Sequence, residues 1–256
     1  MQLDGYEILS EIGEGEIAVV YHAYDTVFER EVALKVLRDD SPLENARAYL
    51  EEEANILAQI YHPAIPKLYD YLSNDITAIV FEYIDGEASD DLLARMNNSF
   101  LPEETLIDWA RQLCDALDYL HNHEPPIAYC DLKASHCLID KNGLVRLVDF
   151  NLARELPPNK ILYGAEKIGT VGYAAPHQYQ GILSPLVDIY ALGATLHYLA
   201  TGIDPRHERP FTFAPPRSVN SFLSRGFASA IMRAVAYEPD DRFQSAAAMK
   251  AALGRL

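Results

Sequence analysis

Tyr129-Cys130-Asp131-Leu132-Lys133-Ala134-Ser135-His136-Cys137-Leu138-Ile139, followed beyond Lys141-Asn142-Gly143 by Leu147-Val148-Asp149-Phe150-Asn151, is the stretch on which the fold turns. Asp131 and Asp149 stand at the ends of short apolar segments, and Lys133 follows the first by two positions. Carboxylates so placed suit a divalent cation, and a neighbouring ammonium suits a phosphate.

Working outward, 256 residues with 49% apolar composition can bury a full core, as one large or two small domains. A net charge of −17 repels phosphate backbones and anionic lipid, so neither nucleic acid nor a membrane is an expected partner, whereas a basic peptide is. The three cysteines, Cys114, Cys130 and Cys137, have neither disulfide nor metal-ligand spacing, which points to a reducing compartment. No apolar run reaches the length of a membrane span, and Met1-Gln2-Leu3-Asp4 does not open a signal peptide; the expected location is the cytoplasm.

Tyr6 to Leu37 is rich in Val, Ile and Tyr and is interrupted at Gly13-Glu14-Gly15, Asp25-Thr26 and Glu29-Arg30, which predicts successive antiparallel strands. A helix is expected from Glu44 to Ile60, then strands over 67–72 and 77–84, the second central because it is almost wholly apolar. Beyond Asp85-Gly86 helices dominate, with spans expected at 103–121, 184–200, 228–237 and 244–253.

Ile12-Gly13-Glu14-Gly15-Glu16-Ile17-Ala18 has the spacing of a phosphate-binding glycine loop, shared with dinucleotide-binding folds. The following Val19-Val20-Tyr21-His22 is strand-forming rather than helical, so a glycine hairpin fits better, with an ordinary hairpin as the bland alternative. Lys35 within Val32-Ala33-Leu34-Lys35-Val36-Leu37 is either an edge charge reaching water or a buried cation with a partner. Glu53 is the candidate partner, with Glu52 the alternative one register away and a solvated acidic face the bland reading of Glu51-Glu52-Glu53.

In order along the chain these motifs resemble those of protein kinases, in particular bacterial serine/threonine kinases of the PknB-like group. Gly169-Thr170-Val171-Gly172-Tyr173-Ala174-Ala175-Pro176 is similar to their peptide-positioning segment, Asp188-Ile189-Tyr190 to the helix supporting the catalytic loop, and Pro239-Asp240-Asp241-Arg242 to their closing motif. The resemblance implies an α+β, bilobal fold in one kinase domain. An antiparallel sheet with one helix would occupy 1–84, and a mainly helical lobe 85–256. It implies an ATP-dependent protein kinase using Mg²⁺ or Mn²⁺. Asp131, Lys133, Lys35 and Glu53 would be catalytic. Ile12, Gly13, Gly15, Val20, Ala33, Lys35, Phe81, Glu82, Ile84, Leu138 and Asp149 would bind the nucleotide, with Glu82-Tyr83-Ile84 as the hinge. Asp149 and His136 would hold the metal and Thr170 would position the substrate. Leu57, Leu68, Tyr129 and Phe150 match an internal apolar stack.

The departures from the family pattern carry their own expectations. Tyr129 replaces His and fills an aromatic position; Asn151 replaces Gly, and Asn tolerates left-handed backbone angles. Cys130 replaces the arginine that receives an activation-loop phosphate, and no Ser or Thr lies between Asn151 and Gly169, so no phospho-switch is expected. His136 replaces the metal-binding Asn, which favours Mn²⁺ or Zn²⁺ over Mg²⁺ and predicts reduced activity. His177 replaces the glutamate that pairs with Arg242, loosening the substrate segment. Thr201 to Asn220 is Pro-rich where relatives carry a docking helix. His121 and His123 are read as surface residues. Three functions follow, a weakened protein kinase, a pseudokinase that binds nucleotide or partners, and a small-molecule phosphotransferase of related fold, the last disfavoured because the segment from Gly169 to Pro176 resembles that of peptide-phosphorylating relatives.

Overall fold

The computed structural model describes every residue except 1, 4, 44, 74, 75, 97–99, 167 and 168. Glu44, where the sequence places a helix start, lies outside the described residues. The chain divides into two compact units, residues 1–85 and 86–256.

The first unit is an antiparallel sheet of β1 (Gln2–Leu3), β2 (Tyr6–Glu14), β3 (Ala18–Asp25), β4 (Arg30–Leu37), β5 (Leu68–Leu72) and β6 (Ala78–Glu82), in the order β1-β2-β3-β4-β6-β5, with one helix, α1 (Ala46–Leu57). Strand period two explains why β4 and β6 read as nearly unbroken apolar runs. Val32 and Leu34 join Ala78 and Val80 in a cluster on one face. On the other, Ile17, Ala18 and Ile79 pack against Leu50 and Ala54 of α1. Both faces are therefore covered, and Lys35, one position beyond Leu34, is turned to the helix side. Each fully buried aliphatic side chain there contributes about 1.5–3 kcal/mol.

The second unit opens with β7 (Gly86–Ala88), α2 (Ser89–Arg95) and α3 (Glu103–His121). Then come β8 (Ile127–Ala128), β9 (Cys137–Asp140), β10 (Val145–Leu147), β11 (Arg154–Glu155), β12 (Leu162–Tyr163) and β13 (Ile182–Leu183). The helices α4 (Pro185–Thr201), α5 (Pro216–Val219), α6 (Arg225–Ala234) and α7 (Ala246–Leu253) complete it. The strands form three small antiparallel sheets, β10-β9-β7, β11-β8 and β12-β13. α4 is apolar on every side and buried along nearly its whole length, as expected of a helix at the middle of a core. Ser184 caps it, accepting a hydrogen bond from the Leu186 N–H, and Pro185 occupies its first turn.

Caps account for the shifted helix ends. α6 starts at Arg225, three residues before its expected start, because Ser224 accepts from the Phe227 N–H at 3.1 Å. Ser245 does the same for α7 through the Ala248 N–H. Between 201 and 220 the chain makes a short 3₁₀ turn at Pro205–His207 and the four-residue α5.

Candidate active site

In the first unit, β2 and β3 form the glycine hairpin: Gly13 pairs with Val20, Glu14 with Val19, and the Gly15 N–H donates to Ala18 O at 2.9 Å. Neither glycine has a positive φ, so their value lies in the absent side chain. A Cβ at Gly15 would meet only the Ala18 carbonyl at 3.6 Å, which leaves the backbone open to a ligand. Exposed Ile12 and half-buried Val20 flank the hairpin. Arg38 reaches back to bond the exposed Glu14 carboxylate.

Lys35 is 6% exposed and donates to Glu53 Oε2 at 2.6 Å; Glu53 is itself only 3% exposed. The buried partner is therefore Glu53, and the edge-charge alternative for Lys35 does not apply. Ala33 and Ile84 are buried, while Phe81 and Glu82 are half-buried on β6. The Glu82 carboxylate accepts from the Lys67 N–H at 3.2 Å, and β6 ends at Glu82, the first of the three residues predicted as a hinge.

The second unit builds the other group of predicted residues. β8 leads into the loop at Tyr129, and Asp188 on α4 anchors it, accepting from the Tyr129 N–H at 2.9 Å and the Cys130 N–H at 2.8 Å. His121 closes this anchor, its Nε2 2.8 Å from Asp188 Oδ2. The surface expectation for His121 is corrected: at 4% exposure it continues the buried stripe of Ala110, Cys114 and Leu117 to the last turn of α3. His123 is half-buried, with Nδ1 3.0 Å from Pro125 O.

Asp131 is 5% exposed and spoken for on both oxygens. Oδ1 accepts from the Thr170 N–H at 3.0 Å and from the Thr170 hydroxyl at 2.6 Å, and Oδ2 accepts from Lys133 Nζ at 3.0 Å. Lys133 also donates to Thr170 Oγ1 at 2.9 Å, so the three predicted residues form one hydrogen-bonded cluster. Two glycines let the peptide-positioning segment reach it. Gly169 has φ +118°, and a Cβ there would lie 2.6 Å from Gln178 Nε2; Gly172 has φ +87° and would strike the Pro205 carbonyl at 2.5 Å. Gln178, for which the sequence offers no signal, ties this segment to the loop by donating to Cys130 O at 2.8 Å.

The predicted metal ligands lie at the end of the β9-β10 hairpin, on which half-buried Leu138 pairs with Ala88 and Arg146. His136 Nε2 lies 3.4 Å from Asp149 Oδ2, and Nδ1 lies 3.0 Å from the Asp131 carbonyl and 3.5 Å from Asp131 Oδ2. Burial holds the His136 imidazole below its ordinary range, against the pull of both carboxylates, so the ring is neutral near pH 7. Bonds of about 2.1 Å to one ion would set two adjacent donor atoms about 3.0 Å apart in octahedral and about 3.4 Å apart in tetrahedral geometry. The residues present therefore fit a divalent cation that accepts nitrogen. Among the described residues, no group of three or more His, Cys, Asp or Glu forms a metal cage, so a cation here would need further oxygen donors from a ligand.

The substituted positions 151, 129 and 177 take the following forms. Asp149, not Asn151, carries the left-handed backbone, at φ +65°. Tyr129 is fully buried, edge-on to Phe150 at 5.0 Å between ring centres, and its hydroxyl donates to Val148 O. His177 is 8% exposed with no hydrogen-bond partner at either ring nitrogen, and burial lowers its pKa to about 4. Arg242, fully buried, is held by the carbonyls of Ala236, Leu186 and Tyr237 at 2.8–2.9 Å and lies over the Tyr190 ring.

The family model described as protein kinase domain matches residues 6–215. The serine/threonine-protein kinase PknB of Mycolicibacterium smegmatis is 32% identical over 273 residues, covering 99% of this chain and 43% of that protein. Serine/threonine-protein kinase PrkC of Bacillus subtilis is 32% identical over 261 residues, 96% of this chain and 39% of that protein. A probable serine/threonine-protein kinase of Streptomyces coelicolor is 32% identical over 265 residues, with coverage of 96% and 39%. The chain thus spans about two fifths of the length of these relatives.

Proposed function

The chain belongs to the protein kinase family, and from that premise we propose that it transfers the γ-phosphoryl group of ATP to a serine or threonine hydroxyl of a protein. The observation that carries this reading is the cluster in which Asp131, nearly buried, is held by Lys133 and Thr170. A carboxylate so fixed orients an acceptor hydroxyl and takes its proton, while Lys133 offers positive charge where the transferred group becomes most negative. Lys35, its direction set by Glu53, binds phosphate oxygens beneath the open backbone of Gly13 and Gly15. In the first unit Ala33 and Val20 supply apolar surface for the purine, and the backbone of Glu82 and Ile84 its polar edge.

Asp149 and His136 would hold the divalent cation, which when bound offsets charge on the phosphate oxygens. With nitrogen at residue 136, the cation is Mn²⁺ by preference, and Mg²⁺ supports slower transfer. That same nitrogen favours the second reading, a pseudokinase that binds nucleotide or a partner without transfer.

The protein substrate is basic around its acceptor. Residues 1–85 hold 5 Lys and Arg against 18 Asp and Glu, so most of the −17 charge belongs to the unit bearing the glycine hairpin. The activation segment needs no phosphate. Cys130 sits where the phosphate-binding arginine would, in an apolar cluster with Leu156, Tyr173, Leu183 and Val187, and the segment pairs with its own continuation through Leu162↔Leu183 and Tyr163↔Ile182. Tyr163→Phe should leave the transfer rate unchanged within twofold.

Radiolabelled transfer to a basic protein, in Mg²⁺ and in Mn²⁺, tests the reading. Incorporation should be lost in Asp131→Asn and Lys35→Met; a thermal shift with ATP and no incorporation in either metal would select the pseudokinase.

A further inference from the structure

The face of the sheet that carries Lys35 ends in a pair of rings. His22, in the middle of β3, pairs with Ser10 on β2 and with Ala33 on β4, and Ala33 pairs with Phe81 on β6. Residues directly opposite one another share a face, and so do residues two apart on a strand. His22, Ala33 and Phe81 therefore line the same side as Val20, Lys35 and Ile79, the side on which Lys35 meets Glu53 of α1. Tyr83, two residues past Phe81, turns its ring to that side as well and lies flat on His22, with 3.7 Å between ring centres and 6° between planes. The edge of the His22 ring faces β4, its Nε2 3.5 Å from Glu31 Oε1, and the side chain is 16% exposed.

What the stack is attached to gives it a use. The ladder between β4 and β6 closes at Val32↔Glu82, so Tyr83 and Ile84 lie beyond its last pair. Past that point side chains take over: Ile84 is buried, and Tyr83 is stacked on a strand paired along both edges. We propose that His22 is a positioning residue for the nucleotide, holding through Tyr83 the backbone of Glu82 to Ile84 where the adenine edge would bond. The inference deepens the proposed function and rests on its reading of that segment as a hinge. A segment ordered before the ligand arrives spares the ligand the entropy of ordering it, and the effect falls on affinity rather than on transfer. A parallel stack needs a flat ring, not a basic one, so phenylalanine can stand in for His22 and alanine cannot.

Two readouts test it. In the chain without nucleotide, hydrogen exchange at the Tyr83 and Ile84 amides should quicken about fivefold in His22→Ala, the scale of one aromatic pair, and return to the parent rate in His22→Phe. ATP titrated by calorimetry should bind about fivefold more weakly to His22→Ala and as in the parent to His22→Phe, while transfer at saturating ATP stays within about twofold in both. In a Tyr83→Ala background the alanine change at 22 should alter neither exchange nor affinity, which a general loosening of the sheet would not produce. Should His22→Ala not fold, His22→Thr, a strand-forming residue without a ring, takes its place. Unchanged exchange in the alanine variant, failure of phenylalanine to restore affinity, an equal loss in the Tyr83→Ala background, or slower transfer at saturating ATP with affinity unchanged overturns the inference. Exchange that responds as expected in a chain that binds no ATP upholds the hold of His22 on the segment and overturns instead the hinge reading of the proposed function.

Discussion

The Lys35–Glu53 pair of the first unit and the His136–Asp149 corner of the second each join a basic side chain to a carboxylate, and they are built on opposite principles. In the first, opposite charges meet at 2.6 Å with both side chains nearly sealed from water, so the pair is complete in the absence of ligand. In the second, an imidazole nitrogen and a carboxylate oxygen stand 3.4 Å apart, a looser contact which, in the proposed function, a cation would complete. The first feature belongs to folding as much as to chemistry, and the second, in the proposed function, to ligand binding. A buried pair tolerates no loss of one partner, whereas an acceptor-rich corner can be rebuilt.

Glu53→Ala breaks the comparison most directly. Leaving Lys35 buried without its carboxylate should cost about 3–5 kcal/mol in urea unfolding, a large part of a domain's stability. A cost below about 1 kcal/mol would place both features in the ligand-dependent class. His136→Asn is next. Replacing nitrogen by an amide oxygen should raise Mg²⁺-supported transfer about a hundredfold, about 3 kcal/mol, and narrow the gap between Mn²⁺ and Mg²⁺. An unchanged Mg²⁺ rate would mean that residue 136 does not touch the cation.

A third prediction concerns a group that belongs to neither feature. His177 titrates near 6.5 in an unfolded chain and at about 4 in the native one, because burial disfavours its charged form and Arg242 repels it. The unfolded state therefore binds more protons between those values. Stability from this residue is fully present above about pH 6.5 and is lost as pH falls toward 4, with about 2 kcal/mol gone by pH 5. His177→Gln should flatten that part of the pH profile. His177→Glu should place an anion near Arg242 and stabilise the chain at pH 7; thermal unfolding at pH 7 and pH 5 measures both.

These residues also mark how far the sequence could be read. The contact of Asp131 with Lys133 was legible because the two stand two positions apart at the end of a short apolar segment, whereas Lys35 in an apolar run left open an edge charge or a buried cation with a partner. The choice of Glu53 over Glu52 needed the rotation of α1 against the sheet, which three consecutive glutamates do not reveal. His121 was misread although its signal was present: it lies four residues beyond Leu117 on the buried stripe of α3, and a last-turn histidine usually faces water. Gln178 gave no signal, since its partners, Cys130 O and the Ala175 N–H, are backbone groups. The left-handed residue is Asp149 rather than Asn151 because tertiary contacts, not intrinsic preference, set the chain direction after Val148.

The smallest expected effect comes from the same cause. Cys130 has φ +69°, a conformation that costs a side chain with a Cβ about 1 kcal/mol or more. What holds it there is backbone: its N–H donates to Asp188 and its carbonyl accepts from Gln178. Its thiol packs among Leu156, Tyr173 and Leu183, and burial raises its pKa well above the usual range, so it acts as an apolar plug. Cys130→Ala removes the plug and keeps the strained Cβ, and should cost about 1 kcal/mol. Cys130→Gly removes both. The larger cavity and the relieved angle should nearly cancel, leaving glycine no less stable than alanine, the reverse of the order found where φ is negative. With the Asp188 anchor intact in both variants, transfer should stay within about threefold of the parent. Glycine falling well below alanine in urea unfolding would show that side-chain packing, rather than backbone hydrogen bonding, holds the catalytic loop in place.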